Sequence, residues 1–222
     1  MNNLKEKCAL EALKYIKNHS IVGLGGGSTI SYLVEFLAKK NLDIKIVTPS
    51  YQTAMLCLKH QLCVVPTWSV DHVDIAFDGC DEVDLNLNAL KSGGAIHTKE
   101  KIIGQMAKEY ILLAEESKVS EKLTFKHPIV LEIFKESIGH VKRKIKELGG
   151  NPTLRKNPVK DGLTISDNGL VIMDAFFSDV ENIQKLHDDI LKTAGVAEIS
   201  LFCKVASKAL IVHENGFKII SI

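Results

Sequence analysis

Four carboxylates fall within the stretch "DGCDEVD", residues 78–84: Asp78, Asp81, Glu82 and Asp84. Acids this close repel one another, by about 1 kcal/mol for a pair 4 Å apart even in bulk water. Three uses of such a cluster stay open on these residues alone. Carboxylate oxygens are ligands for a hard cation such as Mg²⁺ or Ca²⁺, although the spacing is not that of an EF-hand. They also accept protons from the hydroxyls of a polyhydroxylated substrate and act as general acid or base. The third use is a solvated acidic loop with no ligand. Gly79 and Cys80 lie inside the cluster. With no electropositive neighbour in sequence, Cys80 reads as a small semi-buried residue rather than a nucleophile.

Two further stretches carry chemistry. "GLGGGST", residues 23–29, is a glycine-rich turn from a strand into a helix N-terminus. Backbone N–H groups and the helix dipole make such a turn an anion cradle, with Gly26, Gly27, Ser28 and Thr29 as its contact residues. It is not a dinucleotide fingerprint, because serine stands at 28 and the next strand ends in Thr48 and Ser50 rather than an acid. Nor is it a P-loop, because no Gly-Lys-Ser/Thr follows. A sugar-phosphate or monophosphate site fits; a tight turn without ligand is the plain alternative. In "LKSGGAIHTKEK", residues 90–101, Lys91 leads into the turn Ser92-Gly93-Gly94, and Thr98 is the expected N-cap of a following helix. Glu100 then falls in the first helical turn, where an acid complements the dipole. It also shares a helical face with Ile103 and Ala107, which turns it inward and makes it a general-base candidate. None of the eight histidines forms a metal-ligand pattern. His97, the nearest to these stretches, is expected behind the site or on the surface.

The elements that must position these residues alternate. Strands are expected at "SIVGL", "IKIVTPS", "LCVVPT", "HVDIAF" and "ILLAEESK". Helices are expected over 4–16, from Ser28, over "YQTAMLCLKHQ" and over "TKEKIIGQMAKEY". Strand–helix alternation predicts a largely parallel, Rossmann-like sheet. After His127 the rhythm changes. "IVLEIF", a helix over 136–148, "PTLRK", "LVIMDAFF", the helix in "VENIQKLHDDILKTAG" and "VAEISLFC" give β-α-β-β-α-β. That is the split βαβ pattern of a small ferredoxin-like α+β domain. The tail "KALIVHENGFKII" has hairpin character and returns to the first domain. The expected organisation is an α/β catalytic domain, residues 1–126 and 203–222, with a small α+β lid over 127–202.

The 222 residues are 45% apolar and 25% charged, with a net charge of +1. That balance gives no electrostatic case for nucleic acid or an anionic membrane as partner. The basic stretch "HVKRKIKEL" reads as the solvated face of an amphipathic helix. The N-terminus lacks the apolar core of a signal peptide, and no apolar run approaches the ~20 residues that span a bilayer. Cys8, Cys57, Cys63, Cys80 and Cys203 are scattered and form no C-x-x-C. They read as free thiols in a reducing cytoplasm.

Together, "VGLGGGST", "DGCDEVD" and "LKSGGAIHTKEKI" resemble the three site motifs of the A-type ribose-5-phosphate isomerases, in order and at similar separations. "AEESK", "LGGNPTLR" and "SDNG" resemble that family's later, weaker motifs. The resemblance implies interconversion of ribose 5-phosphate and ribulose 5-phosphate through an enediolate, a step of the non-oxidative pentose phosphate pathway, without cofactor or metal. It implies a homodimer or homotetramer. It further implies that Gly26 to Thr29 hold phosphate and sugar, and that Asp78 to Asp81 and Lys91 to Gly94 line the sugar. Glu100 would be the base, Asp81 with Asp78 would open the sugar ring, Lys91 would stabilise oxyanion charge, and Lys118 would join the site. Three positions depart from the family: Gly26 stands where threonine is usual, "TPS" replaces a serine-rich turn, and Ser92 replaces a glycine. The rival class is a sugar-phosphate-binding regulatory domain, which would need neither Glu100 nor Asp81. A different aldose–ketose isomerase is the rival within the same class.

Overall fold

The structure, a computed structural model, describes residues 4–159 and 161–221. The first part of the chain forms α1 (Leu4–Leu13), β1 (Ile21–Leu24), α2 (Ser28–Ala38), β2 (Lys45–Val47), α3 (Tyr51–Lys59), β3 (Val73–Gly79), β4 (Glu82–Asp84), β5 (Ala89–Leu90), α4 (His97–Met106), β6 (Ala107–Glu115) and β7 (Val119–Ser120). There follow β8 (Ile129–Ile133), α5 (Ile138–Glu147), β9 (Asn151–Leu154), β10 (Val171–Phe176), α6 (Ile183–Leu191), β11 (Val196–Ile199), β12 (Leu201–Phe202), β13 (Lys208–His213) and β14 (Gly216–Ser221). Among the described residues no helix is long and apolar enough to cross a membrane.

Strands β1, β3, β6 and β13 are apolar along their length because both their faces are covered. Ile75, Phe77, Ile111, Leu113, Leu210 and Val212 pack with α1 and α2 on one face. Ala76, Tyr110, Leu112, Ala209 and Ile211 pack with Ile103 of α4 and Phe202 on the other. The sheet has six strands in the order β14-β13-β6-β3-β1-β2. β1 pairs in parallel with both β2 and β3, so consecutive connections leave it in opposite directions. Such a reversal opens a crevice beyond the strands' C-terminal ends, the usual place for a ligand in this class of sheet. The antiparallel hairpin β13–β14 extends the sheet, with β13 parallel to β6.

A second sheet, ordered β11-β8-β10-β9, is antiparallel throughout and carries α5 and α6. Its sequence order, β-α-β-β-α-β, is the split βαβ arrangement expected from the pattern. Its own core joins Leu131, Ile133, Val141, Ile145, Met173 and Ile190. The small third sheet, β12-β5-β4-β7, has no counterpart in the sequence reading.

Four local expectations give way to longer-range forces. "LCVVPT" forms only a single bridge, Val64 with Ile46, before a 3₁₀ turn at Thr67–Ser69. The helix expected to Tyr110 stops at Met106, and Ala107 and Tyr110 belong to β6, where they face Val73 and Ala76 of β3. Sheet pairing outweighs helical spacing there. "VAEISLFC" breaks at Ser200, whose N–H and Oγ bind the backbone of Val130 while its carbonyl accepts from Lys91. The chain thus passes from the second sheet to the third. Thr98 is not the N-cap of α4, which is Ile96. Its hydroxyl donates instead to Glu132.

Gly23 lets α4 lie close on the sheet. A Cβ there would stand 2.6 Å from Ala76 Cβ and 2.7 Å from Ile103 Cγ2. Gly23→Ala is expected to destabilise the fold by about 1–3 kcal/mol, the usual range for overpacking a tight core. Urea denaturation of parent and variant measures it, and a difference near zero would refute this account of the packing.

Candidate active site

A pocket of about 500 Å³ opens where the strand order reverses. Gly26, Gly27, Ser28 and Thr29 line it from the turn between β1 and α2, and Ser50, Tyr51 and Gln52 from the start of α3. The cradle's shape follows from its residues. Gly27 has φ of +93°, a conformation that favours glycine. A Cβ on Gly25 would fall 1.9 Å from Asp78 Oδ1, so only glycine lets the turn pass over that acid. Thr53 ties the turn to α3 by donating to Gly25 O at 2.8 Å.

The four acids of 78–84 do not converge. β3 ends by placing Asp78 under the pocket, where Oδ1 accepts from Gly79 N and Oδ2 from the Tyr110 hydroxyl at 3.1 Å. Asp81 reaches the pocket, and its Oδ2 accepts from Ser92 N. Glu82 turns away into β4, where its carboxylate accepts from Thr124 and His127. Asp84 is fully buried and accepts from the backbone of Asn86 and Asn88. Asp84 thus holds the turn between β4 and β5, and Glu82 ties β4 to the segment at Thr124 and His127. Among the described residues no three His, Cys, Asp or Glu side chains stand close enough to hold a metal ion.

The centre of the site is a buried charge group. Lys91 Nζ lies 3.0 Å from Asp78 Oδ2 and 3.3 Å from Glu100 Oε1, with all three side chains nearly inaccessible. It also donates to Gly79 O. Burial opposes the charge on Lys91, but the Asp78 and Glu100 carboxylates outweigh it, so the ammonium holds its proton more tightly than usual. Glu100 is raised as well, but in its case that favours the neutral form. Burial, and then the charge of Asp78, lift its carboxyl well above the ordinary range, against the pull of Lys91. Two acids share one base here, and the carboxyl that is raised is that of Glu100, by its burial and by the charge of Asp78. The arrangement supplies a strengthened carboxylate base beside a permanent cation.

Of the residues expected from sequence, Gly79, Cys80, Gly93, Gly94 and Lys118 also line the pocket. Lys118 donates to Cys80 O at 2.7 Å. Burial pushes the Cys80 thiol up to about 12, which leaves it a neutral packing residue. Ser92 does not line the pocket. Its hydroxyl donates to Pro128 O and its N–H holds Asp81, so it shapes the turn. His97 is buried rather than at the surface, and burial drives it down to about 3, so it stays neutral.

Sequence reasoning missed Lys5, Tyr51, Gln52, Ile96 and Asp167, which also line the pocket, and Tyr110 beneath Asp78. Lys5 comes from the first turn of α1, and Asp167 from the "SDNG" turn of the second sheet, where it pairs with Lys99 at 2.9 Å. The signal that could have found Tyr110 was an aromatic hydroxyl beside the apolar run Ile111–Ala114, since a buried tyrosine hydroxyl needs a partner.

The family model for ribose 5-phosphate isomerase A (phosphoriboisomerase A) matches residues 45–216. The ribose-5-phosphate isomerase A of Methanocaldococcus jannaschii is 36% identical over 221 residues, covering 97% of this chain and 96% of its own. That of Methanosarcina acetivorans is 35% identical over 222 residues, covering 98% and 94%. Among solved structures, ribose 5-phosphate isomerase A from Methanocaldococcus jannaschii matches with a TM-score of 0.93 at 34% identity, over 99% of this chain and 98% of that one. A D-ribose-5-phosphate isomerase in complex with phospho-erythronic acid matches with a TM-score of 0.94 at 33% identity, over the same shares, 99% and 98%.

The raised Glu100 carboxyl links stability to pH. Between the ordinary carboxylate range and the raised one, the folded protein holds a proton that the unfolded chain has released. Stability therefore falls as pH rises through that window. Glu100→Gln removes the effect. Its melting temperature at pH 8 should exceed the parent's by at least about 2 °C, the shift that roughly 1 kcal/mol gives a chain of this size. Below about pH 4 the gain should vanish, because both states are then protonated. Thermal melts at the two pH values check this, and a variant less stable than the parent at pH 8 would contradict it.

Proposed function

The chain belongs to the ribose-5-phosphate isomerase A family, and we propose that it interconverts D-ribose 5-phosphate and D-ribulose 5-phosphate through an enediolate, as an aldose–ketose isomerase of the non-oxidative pentose phosphate pathway. The observation that carries this reading is the Asp78–Lys91–Glu100 group set at one side of an anion cradle. Moving a carbonyl from C1 to C2 needs one base to take the C2 proton and return it to C1. Glu100 serves as that base, and its raised basicity favours proton abstraction from carbon near neutral pH. Negative charge then develops on the substrate oxygens. Lys91, itself buried, and the N–H groups of Gly93 and Gly94 answer it. Asp78 fixes Lys91 from 3.0 Å. Asp81, nearer solvent, moves the proton between ring oxygen and anomeric hydroxyl that opens the sugar.

The phosphate sits on Gly26, Gly27, Ser28 and Thr29 at the N-terminus of α2, with the Lys5 and Lys118 side chains adding positive charge around the pocket. Residues 1–126 with 203–222 act as the catalytic unit and 127–202 as its lid, with Asp167 at the pocket wall. We read the protein as a cytoplasmic homodimer or homotetramer that needs no cofactor. Free thiols at Cys8, Cys57, Cys63, Cys80 and Cys203 support a reducing compartment. The exposed apolar residues Tyr51, Met55 and Leu58 on one face of α3, with Trp68 beside that helix in sequence, support an oligomeric contact.

Two measurements test the reading. Glu100→Gln should lower kcat by at least the ~10²–10⁴-fold that general base catalysis contributes, with KM little changed. Near-normal kcat would assign the base to another carboxylate, Asp81 first. Inorganic phosphate should compete with ribose 5-phosphate, and ribose without its phosphate should turn over poorly. Comparable kcat/KM for free ribose would remove the cradle's role.

A further inference from the structure

The chemistry above needs the N–H groups of Gly93 and Gly94 to aim at the substrate oxygen, yet a Ser-Gly-Gly turn is the most pliable of backbones. Arg155, which follows β9 in the second sheet, holds it. Its Nη2 donates to Ser92 O at 2.9 Å and its Nη1 to Gly93 O at 3.1 Å. Its Nε and Nη2 grip Asp174 of β10 at 2.5 to 3.1 Å. No peptide bond among the described residues is cis. In a planar trans peptide the C=O and the following N–H point in opposite directions. Fixing Ser92 O on Arg155 therefore turns Gly93 N–H away from it, and fixing Gly93 O does the same for Gly94 N–H. Both glycines line the pocket, and neither N–H donates to an acceptor among the described residues. The turn's remaining N–H, that of Ser92, already holds Asp81.

We propose that Arg155, fixed by Asp174, is a positioning residue that aims the Gly93 and Gly94 N–H groups at the oxyanion formed during isomerisation. The inference rests on the isomerase reading and gives the second sheet a part in the reaction beyond covering it. A guanidinium suits the task because its rigid fork meets two carbonyls and a carboxylate at once, which an ammonium on a flexible stem cannot do.

Parent, Arg155→Met, Arg155→Lys and Asp174→Asn would be compared for kcat, KM, and inhibition by phospho-erythronic acid and by inorganic phosphate. The carboxylate of phospho-erythronic acid stands in for the charged enediolate oxygens, while inorganic phosphate reports the cradle alone. Removing an oxyanion donor outright costs about 10²–10³ in kcat, so misaiming two should cost Arg155→Met at least about tenfold. KM should stay within about threefold. Phospho-erythronic acid should weaken by roughly the same factor as kcat/KM, as a mimic of the intermediate must. Phosphate inhibition should not move, and Arg155→Lys should recover only part of the loss. Asp174→Asn keeps the guanidinium but loosens it, and is read by the same numbers if Arg155→Met does not fold. The proposal falls if both variants keep kcat within about twofold, or if the two inhibitors weaken together, which marks general loosening. A parent chain that fails to isomerise ribose 5-phosphate overturns the functional reading itself. An active parent with unaffected variants overturns only the role of Arg155.

Discussion

Lys91 is an ammonium with almost no contact with solvent, and the site is built around keeping it charged. Taking an ion out of water costs several kcal/mol, which only close partners offset. Asp78 and the adjacent Gly79 carbonyl, from the end of β3, and Glu100, from α4, are those partners. β3 must end at Asp78, β5 must deliver Lys91, and α4 must turn its first acid inward. Gly25 must lack a side chain, because Asp78 occupies that space. Tyr110 must reach the same carboxylate from β6. Remove Lys91 and two buried acids face each other unpaired.

The same imbalance that stresses the fold makes it useful. One cation cannot fully satisfy two carboxylates in a low-dielectric site, so Glu100 remains more basic than an acid in water. Holding it there takes anchors elsewhere along α4. Thr98 bonds Glu132 at 2.9 Å, and Lys101 bonds Glu198 at 2.6 Å and the carbonyls of Ile199 and Leu201. The helix face that does no chemistry is thus spent on the second sheet. Phe202 lies between Lys91 and Lys101, with the ammonium groups 5.9 and 5.0 Å from its ring.

What sequence made legible was whatever is local. The start of α2 could be placed because a glycine turn, two hydroxyl residues and an apolar i, i+3, i+4 pattern lie together. α5 and α6 could be placed because their apolar spacing repeats every turn. That Gly26 to Thr29, Lys91, Gly93 and Gly94 line one pocket could be read from residue type and order, whereas the turn-shaping place of Ser92 could not. The hidden parts are those decided by distant partners. Glu82-Val-Asp84 looks like a solvated loop, yet it is a strand because Thr124, His127 and Asn88 satisfy its acids. Ser200 ends a strand for the sake of Val130 and Lys91. Lys5 joins the pocket from the first turn of α1 with no motif around it, and Asp167 joins from the "SDNG" turn of the second sheet, far from the other lining residues in sequence. Glu100 faces inward as its helical spacing implied, although Ala107, one member of that face, proved to lie in β6.

The crowding of acids at 78–84 resolves through separate donors rather than through a shared cation. Asp78 answers Lys91 and Tyr110, Asp81 answers the Ser92 peptide, Glu82 answers the backbone of Thr124 and His127, and Asp84 that of Asn86 and Asn88. Neighbours in sequence therefore meet different environments, because successive side chains of an extended segment point to opposite faces. That separation is what allows one short stretch to do several jobs. Asp78 keeps a buried cation in place, Asp81 remains at the pocket surface beside the Ser92 peptide, Glu82 ties β4 to the segment at Thr124 and His127, and Asp84 closes the turn that leads to Lys91. Paired carboxylates in unlike surroundings are how a protein obtains distinct acid and base roles from one functional group. Here the second member of the pair is Glu100, brought in from α4, so the division of labour depends on the fold and not on the cluster alone.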